Sequence, residues 1–175
     1  DEAREILKEI RDIADELRKR LERLTERSER IVREVDKENR RVVEEIREIV
    51  ERVKKAKIDE DTVRKILREI EEKLDRVAKR NEKILKKIED DSRRVAKEVR
   101  EILKKIEDIL DDARRKRKDV RELKKEVERV LEEIRRLLEE HERANRKLLK
   151  EIRDSLRELK KRVEEVLREI KEATK

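Results

Sequence analysis

The chain contains no Cys, Gly, Pro, Met, Phe, Tyr or Trp. Without Cys there is no disulfide, no thiolate metal site and no sulfur nucleophile. Without Gly there is no glycine-rich phosphate loop and no dinucleotide fingerprint. Without aromatics there is no platform on which the bases of a single-stranded nucleic acid can stack. No apolar run approaches the roughly 18 residues of a membrane span, and no apolar signal-peptide core opens the sequence. Partners are therefore expected to include neither a membrane nor a specific nucleic acid, and no cofactor is expected.

What is present is charge and aliphatic bulk. Of 175 residues, 57 are Lys or Arg and 50 are Asp or Glu, and a third are apolar. High charge with few aromatics often marks disorder, but disorder requires apolar residues that are too few or unpatterned. Here they are Ile, Leu, Val and Ala at strict spacing, among residues that favour helix, with the helix breakers absent.

The first stripe runs Ala3, Ile6, Ile10, Ile13, Leu17, Leu21, Leu24, Ser28, Ile31, Val35, Asn39, Val42, Ile46, Ile49, Val53. Its steps repeat as 3-4-3-4-4, which is 18 residues in five turns. A strict heptad would force a left-handed supercoil, whereas about 3.6 residues per turn matches a straight α-helix. The second stripe, Val63 to Ala113, and the third, Val120 to Ile170, repeat with the same 18-residue phase. Neighbours such as Leu7, Val32, Val43, Leu67, Leu85, Leu131 and Leu149 widen each stripe, as suits a helix with two packing partners.

The phase breaks twice. At the first break, Asp59 can cap a helix, Glu60 and Asp61 place negative charge on its first turn, and Ile58 and Val63 fit a hydrophobic staple. At the second, Asp119 and Glu122 fit a capping box behind the cationic run Arg114 to Lys118. The expected fold is all-α: a single antiparallel up-down-up three-helix bundle over 1–175, with nearly straight helices at about 2–57, 60–115 and 120–174. Each helix spans on the order of 80 Å, and short loops make sequential neighbours antiparallel.

Polar residues interrupt the stripes at Ser28, Asn39, Asn81, Ser92, His141 and Asn145, with Thr25 and Ser155 on the widened edge. In an antiparallel hairpin, facing residues share a constant sum of residue numbers, and Ser28/Ser92 and Asn39/Asn81 share one sum. Two structural polar layers are expected: Thr25, Ser28, Ser92 and His141 with Asn145, and Asn39, Asn81 and Ser155. They lie about 16 Å apart along a helix. A buried polar group without a partner costs about 1–3 kcal/mol, so matched heights let these residues satisfy one another and fix register.

The same residues offer weaker functional readings. A single His without a second His or an inward carboxylate is a poor metal site, so no metal ligand is assigned. Ser28 or Ser92 beside His141 forms a nominal nucleophile pair, but a uniform bundle supplies no oxyanion hole and no substrate cleft, so no catalytic residue and no enzymatic activity are assigned.

The net charge of +7 is interspersed. Residues 1–57 carry 18 basic and 17 acidic side chains, 58–118 carry 21 and 17, and 119–175 carry 18 and 16. A nucleic-acid surface would segregate its cations on one face. The outer faces hold almost no unclaimed apolar residues, which favours a monomer that requires no partner, with self-association as the alternative.

These features resemble parametrically generated, de novo designed helical bundles of the untwisted three-helix type. The resemblance rests on the 18-residue repeat, the Ile/Leu/Val stripes, the Glu/Lys/Arg surface, the Asp-led helix starts and the buried Ser/Asn/His layers, and it covers the whole chain. One departure is the lack of Gly and Pro in the loops. The resemblance implies a coiled-coil-like, thermostable scaffold of synthetic origin, soluble and cytoplasmic when expressed, with deliberate hydrogen-bond networks and no native substrate. The runner-up is a designed interaction module, either a subunit of a homo-oligomeric assembly or a partner-binding scaffold. A natural spectrin-like spacer would drift from ideal periodicity and carry occasional aromatics, Met and Gly.

Overall fold

A computed structural model describes residues 2–116 and 121–174. The protein is an all-α three-helix bundle. Helix α1 is Glu2–Lys55, α2 is Glu60–Lys116 and α3 is Arg121–Ala173. Acidic residues occupy the first turn of each helix and basic residues the last, matching the helix dipole at both ends.

Helix α1 stops two residues before the expected 57. Its last backbone bond runs from the Ala56 amide to the Arg52 carbonyl. Residues 57–59 then have to leave the helix so that Asp59 can cap the next one. The Asp59 carboxylate accepts from the Thr62 amide at 2.7 Å, and its carbonyl accepts from the Val63 amide at 3.1 Å. Ile58 and Val63, flanking this cap, both pack into the apolar core, as a hydrophobic staple requires. No described residue has positive φ, so this turn is made without the left-handed conformation that would call for Gly. Asp119 and Val120 lie outside the described residues; of the cationic run, Arg114, Arg115 and Lys116 form the last turn of α2.

The packing divides the chain into two compact units, residues 1–28 with 88–147 and residues 29–87 with 148–175. Each unit contains a segment of all three helices. In the first, Thr25 of α1 meets His141 of α3, 116 residues away, and Arg11–Glu126 and Arg18–Glu133 ion pairs follow nearly the same offset. In the second, Asn39 meets Ser155, again 116 residues away. A constant offset means that α1 and α3 run parallel. Between α1 and α2 the numbers rise on one helix as they fall on the other, as in Glu38–Arg80 and Glu45–Lys73, so these helices are antiparallel. Glu107–Arg135 and Arg100–Glu142 show the same for α2 and α3.

Each unit has its own apolar core. Ile10, Val99, Ile106, Val127 and Ile134 are fully buried in the first, and Ile46, Ile70, Leu159, Val163 and Ile170 in the second; Ile152 of α3 is fully buried as well. Each such side chain contributes about 1.5–3 kcal/mol by leaving water. No large hydrophobic among the described residues is exposed. The cross-helix ion pairs lie on the surface, where each contributes little.

Candidate functional site: two buried polar clusters

Among the described residues, four polar side chains are buried: Asn39, Asn81, His141 and Asn145. They fall into two clusters, one in each unit.

In the second unit, Asn39 Nδ2 donates to Asn81 Oδ1 at 2.9 Å and to Ser155 Oγ at 3.0 Å. Asn81 Nδ2 returns a bond to Asn39 Oδ1 at 3.2 Å and gives its other hydrogen to the Val77 carbonyl at 2.8 Å. Both carboxamides therefore use both N–H donors and an oxygen. Ser155 passes its hydroxyl hydrogen to Asp36 Oδ1 at 3.0 Å, and the other Asp36 oxygen is ion-paired with Arg40 at 3.1 Å. The chain of bonds begins on the backbone carbonyl of the half-buried Val77 of α2, crosses α1 and α3, and ends on a half-buried carboxylate. Asp36, Asn39 and Ser155 also line a groove of about 380 Å³ floored by Val43 and Leu159. Asp36 is the member the stripe pattern misses, because it sits outside the apolar positions. Its signal was the three-residue spacing to Asn39, which puts the two on one helix face.

In the first unit, Thr25 Oγ1 lies 3.0 Å from His141 Nδ1, and Asn145 Nδ2 lies 3.1 Å from His141 Nε2. An amide nitrogen can only donate, so Nε2 must accept. That fixes the neutral ring as the Nδ1–H tautomer, donating to Thr25. Burial holds the His141 pKa below its ordinary 6.5, and the neighbouring Glu142 carboxylate opposes the shift. Ser28 and Ser92 are half-buried and make no side-chain hydrogen bond among the described residues. The 116-residue offset that pairs His141 with Thr25 puts Ser28 one turn further along α1, within a residue of the height of Asn145. Asn145 Oδ1 is buried without a hydrogen-bond partner.

The eight polar residues thus divide as follows. Asn39, Asn81 and Ser155 are hydrogen-bonded together, as are Thr25, His141 and Asn145, while Ser28 and Ser92 stand beside the second group unbonded.

No group of three or more His, Asp or Glu side chains that could hold a metal ion occurs among the described residues, and no described helix is long and apolar enough to cross a membrane. No family model, curated protein or solved structure matches the chain.

Proposed function

We propose that this protein is a structural element without enzymatic activity: a de novo designed, thermostable helical scaffold, monomeric in solution, in which buried polar layers select one register. The observation that carries this reading is the hydrogen-bonded chain of Asn81, Asn39, Ser155 and Asp36. Polar groups used in chemistry or binding keep donors or acceptors available for a ligand, whereas here both buried carboxamides spend their N–H groups on one another, on Ser155 and on the backbone. Such a chain penalises any slip of one helix against another, because a shift of even one residue strands several buried donors. The regular 18-residue repeat and the absence of matching proteins support a synthetic origin.

Light scattering across a wide concentration range tests the monomer directly. A constant mass of 21.5 kDa is expected. A mass that doubles or trebles would replace this reading with an interaction module.

One specific observation favours that second reading. Isoleucines recur 18 residues apart along one edge of α1, at Ile13, Ile31 and Ile49, and along the facing edge of α2, at Ile66, Ile84 and Ile102. All six are half-buried, whereas nearly every apolar stripe residue of α3 is fully buried. If these edges close on a second copy, Ile31→Lys and Ile84→Lys will each reduce the measured mass to that of one chain. In a monomer they will leave it unchanged.

A further inference from the structure

His141 and Asn145 carry an inference that goes beyond the scaffold reading. Two features of their geometry belong together. The ring nitrogen Nε2 faces the amide nitrogen of Asn145, and the amide oxygen of the same side chain, on a residue only 4% exposed, has no hydrogen-bond partner. In this arrangement the ring cannot take up a proton, because Nε2–H would point at an NH2 group. A half-turn of the carboxamide about its Cβ–Cγ bond exchanges the two atoms. Oδ1 then accepts from Nε2–H, while Nδ1–H continues to donate to Thr25 Oγ1. Both N–H groups of the imidazolium are satisfied inside the protein, and no helix has to move.

The turned amide also needs a partner for its NH2 group, and the neutral arrangement needs one for its oxygen. The register places Ser28 of α1 at the height of Asn145, Ser92 of α2 belongs to the same compact unit, and neither hydroxyl makes a hydrogen bond among the described residues. Neither hydroxyl bonds Oδ1 in the neutral arrangement, but a hydroxyl both donates and accepts, so a change of serine rotamer would let it serve the oxygen in one state and the NH2 group in the other. This gives the two unbonded serines a role that a static network does not.

We infer that His141 and Asn145 form a proton-coupled amide switch: the Asn145 carboxamide turns over as His141 gains a proton, and the bundle stays folded in both states. The charges around the ring permit this. On α3, Glu142 favours the imidazolium and is ion-paired at 4.0 Å with Arg100 of α2. On α2, the half-buried Glu98 is neutralised by Arg20 of α1, and Asp91 is half-buried near the height of Asn145. On α1, the ring meets the hydroxyl of Thr25, and the flanking Glu22, Arg23, Glu26 and Arg27 are solvent-exposed.

The test is an NMR titration of the full chain from pH 8 to pH 4, following the two His141 ring nitrogens and the Asn145 side-chain NH2 group. Neutral His141 is expected as the Nδ1–H tautomer. The Asn145 NH2 resonances are expected to shift with the same midpoint as the ring, while the backbone spectrum stays that of a folded protein. Asn145→Leu, which removes the acceptor available to Nε2–H, should weaken proton binding by about tenfold or more, one pH unit in midpoint. An Nε2–H tautomer, an NH2 group that ignores the ring's titration, an unchanged midpoint in Asn145→Leu, or unfolding at the midpoint would each overturn the inference. The wild-type resonances decide the matter by themselves if Asn145→Leu does not fold.

Discussion

Asn39 and Asn81 hold each other's carboxamides through two reciprocal bonds, 2.9 and 3.2 Å long, across the antiparallel α1–α2 interface. The pair is symmetric in chemistry: each side chain gives one hydrogen and receives one. Its value lies in the penalty for separating the partners, since each amide alone would keep one N–H bond, to Ser155 or to the Val77 carbonyl, and leave its oxygen and its other hydrogen buried without a partner.

That symmetry gives a double-mutant cycle a definite sign. Asn39→Leu and Asn81→Leu should each destabilise the fold by about 1–3 kcal/mol, because each leaves the opposite carboxamide unpaired. The double substitution should cost clearly less than the two single costs added together, since no amide is then left unsatisfied. Denaturant unfolding of the four proteins measures this, and strictly additive costs would show that the two amides do not depend on each other.

Acid should weaken the fold through His141. Its folded-state pKa lies below the ordinary 6.5, so the unfolded chain binds the proton more tightly. Stability is then fully present above about pH 6.5 and declines as pH falls toward the lowered folded value, where the loss levels off. Urea midpoints at pH 7 and pH 5 should fall for the wild type and change less for His141→Gln. Equal slopes in the two proteins would remove His141 from the account.

The Asp59 cap makes a local prediction. Hydrogen bonding from Thr62, by its hydroxyl and its amide, holds the Asp59 carboxyl below its usual value, and the 2.7 Å amide bond is part of it. Its contribution is present above the unfolded-state carboxyl pKa and is lost as pH falls through the lowered one. Asp59→Ala should lower the melting temperature and speed exchange of the Thr62 amide, with little effect on amides deep in α3. Unchanged Thr62 exchange would show that the cap is not held in solution.

Core and edge isoleucines should separate cleanly. Ile46 and Ile152 are fully buried, and Ile31 is half-buried. Truncating either of the first two to Ala should cost about 2–5 kcal/mol. Ile31→Ala should cost distinctly less, because part of the deleted surface is already in water. Similar costs at all three would mean that another surface covers Ile31 in solution.

The helices were legible because one physical variable, the apolar period, sets both where each helix runs and which face it buries. The first turn was legible too, through Asp59 and the Ile58–Val63 staple, although the end of α1 depends on how much chain the cap consumes. The polar clusters were only partly legible. Heights along an axis can be counted, and Asn39, Asn81 and Ser155 meet accordingly. Which rotamer reaches which neighbour depends on the side from which each helix is approached. That is why Thr25 reaches His141 while Ser28, on the central stripe, does not. Asp36 was hidden for a related reason: a carboxylate at a stripe's margin looks like ordinary surface until a serine on the adjacent helix points at it.

The two helix–helix relationships also differ in the length of chain each must enclose. Glu45 and Lys73, joined near the first turn, are separated by 28 residues, whereas Thr25 and His141 are separated by 116. The entropic cost of closing a loop grows only logarithmically with its length, so the longer closure adds about 1 kcal/mol or slightly more. The order of events is affected more than the final balance. Glu107 and Arg135, at the second turn, are likewise separated by only 28 residues, so either hairpin encloses far less chain than the contacts between α1 and α3 do.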